Sequence, residues 1–320
     1  MRIAVTGGAG FVGTHLVCAL LERGHTVLVY DNLFSGRKLK TMVGVNNLQF
    51  EQADVTDGRR LRIEFAAFRP EIIFHLAALH YIPYCDQHPE EALRVNLEGT
   101  LNLMLAASET RSVKAVLFAS SVAVYPPTDH CHAESDPVGP CDIYGLTKWL
   151  GEQVVDHYAR EAHLAHLSLR FSNLYGPGET NPHVIPAVLE QLLQGEDTLR
   201  LGRTDPCRDF LYVEDLVEAL LAAIPVVLRE EAHGALNLGP GREASVADAV
   251  RILGELSGRS VRVLQDETRV RAVERMHLRA DIAAAQRLLG WTPRHDLQAG
   301  LAKTFAAESR ERIRGFAAGL

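Results

Sequence analysis

The 320-residue chain is 47% apolar and 23% charged, enough for a full hydrophobic core with a smaller lobe beside it. Its formal net charge of −7 comes without a basic stripe, and no apolar run approaches the ~20 residues of a membrane span, which argues against a nucleic-acid surface and a transmembrane helix. The five cysteines, Cys18, Cys85, Cys131, Cys141 and Cys207, are scattered without paired metal spacing, and the N-terminus runs straight into a strand with no leader, so a reducing cytoplasm is expected.

Ile3, Ala4 and Val5 read as a short buried strand. Gly7, Gly8, Gly10 and Gly13 read as a tight turn, and Thr14 to Arg23 as an amphipathic helix closed by Gly24. Glycines at such a turn let the backbone approach a pyrophosphate, whose charge suits the unpaired N–H groups and positive dipole of the helix N-terminus. The next apolar run, Thr26 to Tyr30, ends in Asp31, where a dinucleotide-binding βαβ unit needs a carboxylate for the ribose hydroxyls. Asp31 favours NAD, because a 2′-phosphate would meet its charge; Arg37 and Lys38 keep NADP as a lesser alternative.

Strand and helix patterns then alternate. Leu48 to Phe50 is a strand that leads to Ala53, Asp54 and Val55, with Asp54 placed to accept from an adenine amino group. A helix from Gly58 to Phe68 is stopped by Pro70, and the strand Glu71–Ala78 runs into small residues against which a cofactor can lie. Pro89 to Thr110 has helical spacing, with Asn96 in its apolar register; a buried asparagine must be hydrogen-bonded, and it is expected to tie this helix to the strand ending in Ser120 and Ser121. That strand, Val113 to Ala119, delivers the serines to the edge where active sites of open α/β sheets lie. After a polar, Pro-rich loop from Pro126 to Pro140, Tyr144 and Lys148 stand four apart on one face of a helix running to about Arg160. Leu167 to Phe171 is the next strand, giving six or more parallel strands before the texture changes near residue 173.

Beyond it, a helix lies within Asn181–Gly195, another element starts at Arg208, and Ala235 to Gly239 reads as a last strand returning to the sheet. Ser245 caps a helix ending near Gly258, and Asp281 one ending near Gly290. The expected division is an α/β dinucleotide-binding domain of residues 1–172, rejoined by 208–242, and a smaller α/β C-terminal lobe within 173–320, mainly 173–207 and 243–320.

Ser121, Tyr144 and Lys148 form a proton-transfer set. A phenol of pKa ~10 is a poor base at neutral pH, a neighbouring ammonium stabilises its phenolate, and the serine can orient the reacting hydroxyl.

With these residues in place the chain resembles the extended short-chain dehydrogenase/reductase family, in particular its NAD-dependent nucleotide-sugar epimerases and dehydratases such as UDP-glucose 4-epimerase. The likeness is carried by Thr6-Gly-Gly-Ala-Gly-Phe-Val-Gly13, Asp31-Asn32, Asp54-Val55, His75-Leu-Ala-Ala78, Ser120-Ser121, Tyr144-Gly-Leu-Thr-Lys148, Asn173-Leu-Tyr-Gly-Pro-Gly178, Arg208-Asp-Phe210 and Gly290-Trp291. It implies a Rossmann doubly wound parallel sheet and a catalytic set of Ser121, Tyr144 and Lys148. It implies NAD on Gly7, Gly10, Phe11 and Val12, on Asp31, Asn32, Asp54 and Val55, and on Leu76, Ala77, Ala78, Asn96, Tyr144 and Lys148. The nucleotide diphosphate of the substrate, a UDP-sugar by preference, falls to Asn173, Arg208 and Arg271, beside Ser121 and Tyr144. Guanidinium groups suit phosphate oxygens, which agrees with those arginines. The family also implies a homodimer through helices of residues 90–108 and 144–160.

Departures bear on the substrate. Val124-Tyr-Pro-Pro127 replaces the usual Val-Tyr-Gly, and His80 stands where galactose-type epimerases carry a lysine beside the sugar; it is a sugar contact or a simple loop histidine. Cys85 reads as packing, not as a nucleophile. Val122 and Ala123 follow Ser121 where dehydratases and decarboxylases of the family place an acid. The expected reaction is therefore epimerisation at sugar C4 through a 4-keto intermediate. The alternatives are a dehydratase or decarboxylase on the same scaffold and a non-catalytic NAD-binding regulator. No metal site is expected.

Overall fold

A computed structural model of the chain describes residues 1–35, 45–229, 232–270 and 275–318. Seven strands form one parallel sheet: β1 (Arg2–Thr6), β2 (Thr26–Asp31), β3 (Leu48–Gln52), β4 (Ile72–His75), β5 (Ala115–Ser121), β6 (Ala165–Phe171) and β7 (Ala235–Leu238). Their order in space is β7-β6-β5-β4-β1-β2-β3. The chain thus winds outward from β1 to β3, then returns to β4 and winds the other way. A crevice opens at that reversal, beyond the carboxyl ends of β1 and β4, where Thr6 pairs with His75.

The inner strands β1, β2, β4, β5 and β6 are buried almost throughout because helices cover both faces, whereas edge strand β3 is mostly exposed. Period-2 alternation sends Ile3 and Val5 to one side, onto Leu16 and Leu20 of helix Phe11–Glu22 and Leu216 and Leu220 of helix Val213–Leu228. It sends Ala4, Leu28 and Ile73 to the other, onto Leu61 and Phe65 of helix Gly58–Phe68 and Val155 of helix Ile143–Glu161. Each such fully buried Leu, Ile or Phe contributes about 1.5–3 kcal/mol, so the two layers fix the sheet.

A third cluster joins helix Val184–Gln194, through Ile185, Val188 and Leu192, to helix Val246–Ser257, through Val246, Val250 and Leu253. Ser245 and Asp248 close a capping box at the start of the latter, and Gly258, at φ +70°, ends it. Short strand Phe210–Tyr212 pairs with Asn173–Tyr175 and carries the chain back toward β7.

Two local expectations change. The helix expected over Pro89–Thr110 is broken into Pro89–Leu93, a π turn at Arg94–Glu98 and Gly99–Glu109; the wide turn inserts a residue at Asn96, which helical periodicity does not register. The helix near Gly290 spans Ala283–Leu289 with Ile282 at its N-cap, and Asp281 accepts the Ala283 N–H at 2.8 Å from one position earlier.

Candidate active site

The glycine turn packs too tightly for side chains. Gly7 lies at φ +69°, and a Cβ there would fall 2.6 Å from the Ala77 nitrogen; one on Gly13 would collide with the Gly7 carbonyl. Helix Phe11–Glu22 begins at Gly10 with neither a side-chain cap nor an acidic residue in its first turn, so its N-terminal N–H groups face the cleft open to an anion. At the end of β2, Asp31 is 8% exposed and accepts from Ala9 N at 2.9 Å and Leu33 N at 2.7 Å. Burial raises its pKa against those two bonds, and each oxygen keeps a lone pair for a hydroxyl. Asp54 is bound by Thr56 N at 2.8 Å and by Asn32 Nδ2 at 2.7 Å. Burial would raise it, but the Thr56 and Asn32 bonds outweigh burial and hold it below the usual carboxylate range. Arg37 and Lys38 lie outside the described residues.

Asn96 is 2% exposed, and its partners correct the expectation that it ties its helix to the serine strand. Its Oδ1 accepts from Leu79 N at 2.7 Å, while Nδ2 donates to Leu79 O at 2.9 Å and Thr147 Oγ1 at 3.0 Å. It clamps the loop after β4 to helix Ile143–Glu161. Its amide holds the backbone of Leu79, which follows Ala77 and Ala78 in the chain.

β5 delivers Ser121 to the cleft, and helix Ile143–Glu161 presents Tyr144 and Lys148 opposite it. Asp142 caps that helix through Gly145 N at 2.7 Å, which fixes where the tyrosine stands. Ser121 hydrogen-bonds to the Tyr144 side chain. Burial drives the Tyr144 phenol well above its ordinary range, opposed by that bond. Lys148 is 3% exposed, donates to Ala119 O at 2.7 Å and lies 5.8 Å from the Tyr144 ring centre; burial brings it down to about 8. One turn further, Glu152 meets Arg170 of β6 in a buried bidentate pair, Nη2–Oε2 2.7 Å and Nε–Oε1 2.9 Å, and also accepts from Ser120. Arg170 continues to Tyr125 Oη at 2.8 Å, and Tyr125 to Asn237 of β7 at 2.8 Å. This chain of bonds sets the floor beneath Ser121.

Opposite the glycine turn the cleft is lined by Asn173, Arg208 and His80. Arg208 donates to the Arg275 carbonyl and at 2.8 Å to the Cys207 carbonyl. Arg271 lies outside the described residues. His80 Nε2 accepts from Asn181 Nδ2 at 2.7 Å, and burial, with the Lys148 charge, lowers it to about 4. Cys85 is fully buried, and burial pushes its thiol up to about 12, in keeping with packing.

Sequence reasoning missed four groups here. Arg203 and Arg269 also line the cleft; Arg203 stands in the same short segment as Arg208, the one signal that could have found it. Glu179 and His183 fold back beside His80, and burial raises the Glu179 carboxyl to about 7 against bonds from Asn181 and Thr180. An acid thus reaches the cleft from a different loop, while Val122 and Ala123 remain its apolar wall.

Among the described residues, all those expected to bind or act line one cleft of about 1120 Å³, except the buried Asn96. That exceeds the ~300–1,000 Å³ of an ordinary small-molecule pocket and suits two bound molecules. An uncapped helix N-terminus that donates to a pyrophosphate and a carboxylate at the next strand end that accepts from ribose hydroxyls are what a dinucleotide requires.

Residues 3–239 match the model of the NAD dependent epimerase/dehydratase family. The chain is 31% identical to a putative UDP-glucose 4-epimerase of Methanocaldococcus jannaschii, covering 93% of this chain and 95% of that one. It is also 31% identical to UDP-glucuronic acid decarboxylase 1 of Xenopus tropicalis, over 95% of this chain and 71% of that one. UDP-glucose 4-epimerase of Thermotoga maritima, solved with UDP-glucose, superimposes with a TM-score of 0.89 at 30% identity, over 98% of this chain and 100% of that one. With the doubly wound sheet, the glycine turn and the Ser121, Tyr144 and Lys148 cleft, these matches show that the chain belongs to the NAD dependent epimerase/dehydratase family.

Proposed function

We propose that the protein is an NAD-dependent nucleotide-sugar epimerase, an isomerase of carbohydrate metabolism that inverts a hydroxyl at sugar C4. The observation that carries this reading is the convergence of Ser121, Tyr144 and Lys148 in one cleft with the glycine turn and Asp31. NAD, when bound, supplies a hydride acceptor that is regenerated in each cycle. Tyr144 Oη removes the proton of the sugar hydroxyl as that carbon is oxidised, and returns a proton when the 4-keto sugar is reduced on its other face. Ser121 Oγ orients the hydroxyl, and the Lys148 ammonium stabilises the phenolate. The cofactor is held by the glycine turn with Phe11 and Val12, and by Asp31, Asn32, Asp54, Val55 and Leu76 to Ala78. Asn96 holds the backbone of Leu79, the residue after them. Asn173, Arg208 and Arg271 take the diphosphate of a UDP-sugar, and His80 faces the sugar.

In this reading residues 1–172 and 208–242 hold NAD, while 173–207 and 243–320 hold the nucleotide sugar. The protein works in the cytoplasm as a homodimer through helices of residues 90–108 and 144–160, which light scattering on the purified chain checks. Among the described residues no helix is long and apolar enough to cross a membrane.

Glu179 is the observation that favours a second reading, dehydration or decarboxylation, since elimination needs a proton donor and Glu179 is one. A non-catalytic regulator would not need a lysine brought down to about 8 beside a buried tyrosine. The deciding experiment incubates the protein with UDP-sugars in deuterated water and follows products by NMR. An inverted C4 hydroxyl without solvent deuterium on carbon is expected. Loss of water or carbon dioxide, or deuterium at C3 or C5, sinks the epimerase reading in favour of the second.

A further inference from the structure

The loop between β5 and helix Ile143–Glu161 holds a side-chain cluster that the reaction above does not use. His130, His132 and Asp136 each offer a ligand atom, all within 4.8 Å of one another, and none of the three lines the cleft. His132 is 1% exposed and held on several sides. Its ring stacks on Tyr125 at 4.5 Å with planes 6° apart, and its carbonyl accepts from Asn237 Nδ2 at 3.0 Å and Asp281 N at 2.7 Å. Cys131 and His132 pair in parallel with Arg279 and Ala280. In this rigid setting the His132 Nδ1 is buried with no partner inside hydrogen-bond range. It points toward Asp136 Oδ2 at 3.6 Å, and His130 Nε2 lies 3.1 Å from the same oxygen.

Two of the three separations match a ligand set, and the third is within 4.8 Å. Metal–ligand bonds of about 2.0–2.1 Å in tetrahedral geometry place ligand atoms about 3.3–3.4 Å apart, and the two values lie on either side. Thr128 Oγ1, 3.1 Å from His132 Nε2, can accept an Nε2–H, and in that tautomer the Nδ1 lone pair is free, as in ligating histidines. Asp136 Oδ2 also accepts from Ala133 N at 3.0 Å, which fixes the carboxylate and leaves a lone pair for a cation.

We propose that His130 Nε2, His132 Nδ1 and Asp136 Oδ2 form a binding site for a divalent cation of the zinc class. Two imidazoles and one carboxylate suit zinc better than calcium or magnesium, which take oxygen ligands. His130 is 56% exposed, so the fourth position opens to solvent and a water completes it. The bound cation cross-links residues 130–136 of the loop and so holds the His132 ring in place against Tyr125, the phenol that continues to Arg170 and Glu152 below Ser121. It is a structural clip, separate from the epimerase cleft.

The test uses the whole protein, stripped with a chelator and kept in a non-thiol reductant, titrated calorimetrically with zinc chloride and unfolded thermally with and without it. One zinc per chain, a raised unfolding midpoint and an X-ray absorption spectrum with nitrogen and oxygen neighbours but no sulfur are expected. His130→Ala and Asp136→Asn should each weaken zinc at least about tenfold. Both keep the buried ring in place, and circular dichroism confirms their folding. His183→Ala, which disrupts the separate His80, Glu179 and His183 cluster, should leave the titration unchanged. No stoichiometric uptake at tens of micromolar, uptake retained in both loop variants, sulfur ligation, or loss in His183→Ala alone would each overturn the proposal.

Discussion

Glu152→Gln cuts the buried pair from one side while keeping the side-chain shape. Glu152 and Arg170 are 5% and 4% exposed, so neither charge is screened by water. The amide can still accept at Oε1 from Ser120 and Arg170 Nε, but its NH2 replaces the oxygen that now faces Arg170 Nη2 at 2.7 Å. Two donors then oppose each other, and the guanidinium charge keeps no counterion among its bonded partners, since Tyr125 supplies only a phenol oxygen. Breaking a buried pair this way costs about 3–5 kcal/mol. With an unfolding entropy of about 2.1 cal/mol/K per residue, 320 residues give about 0.67 kcal/mol/K, so the unfolding midpoint should fall by about 4–7 °C. The cost is that of an uncompensated charge, so Glu152→Leu with Arg170→Met should recover most of the loss. A second readout concerns Lys148: burial brings it down to about 8 while the Glu152 charge opposes the fall. Without Glu152 it drops further, the ammonium persists only to lower pH, and the alkaline limb of kcat moves down. Scanning calorimetry and a pH profile measure both. A shift below about 1 °C, or a double variant no more stable than Glu152→Gln, would refute the reasoning.

Four further outcomes are expected. Tyr144→Phe should abolish turnover while NAD still binds, measured by fluorescence titration; full turnover would remove the tyrosine from its role. Asp31→Ala should weaken NAD and narrow the preference over NADP in the same titration, because the carboxylate at the end of β2 is lost. Arg208→Ala should cost UDP binding about 1.5–3 kcal/mol by calorimetry, the size of a charged hydrogen bond, with NAD affinity unchanged. Burial raises the Glu179 carboxyl to about 7 from 4.5, so its contribution to stability is fully present below pH 4.5 and lost as pH rises through 7. Glu179→Gln should flatten that part of the stability–pH curve, and an unaltered slope in urea melts between pH 4.5 and 7.5 would contradict the burial.

The parts of the fold legible in the sequence are those written in local spacing. The apolar runs of β1, β2 and β4, the glycine turn and the Ser245 cap depend on neighbours in the chain, and each stands in the structure. The spacing of Tyr144 and Lys148 put both on one helical face, where the cleft finds them. The π turn at Arg94–Glu98 was not legible, because an inserted residue leaves leucines on either side in acceptable helical register. The partners of Asn96 are 17 and 51 residues away, and only packing selects Leu79 and Thr147 over β5. Glu179 escaped for the same reason: nothing local says that the loop after Gly178 turns its carboxyl beside His80, about 100 residues earlier in the chain.

Tyr144, Lys148 and Glu152 recur every four residues along one helix, a span of about 12 Å at 1.5 Å per residue. Their mutual distances are therefore set by helical pitch, whatever the length of the loops that meet them. A residue added to the loop 126–140 leaves the three in line, whereas one added inside the helix swings everything beyond it by about 100° and separates the phenol from its neighbours. Substrate preference can thus drift through insertions in the surrounding loops while the proton-transfer machinery travels unchanged, as a single cassette.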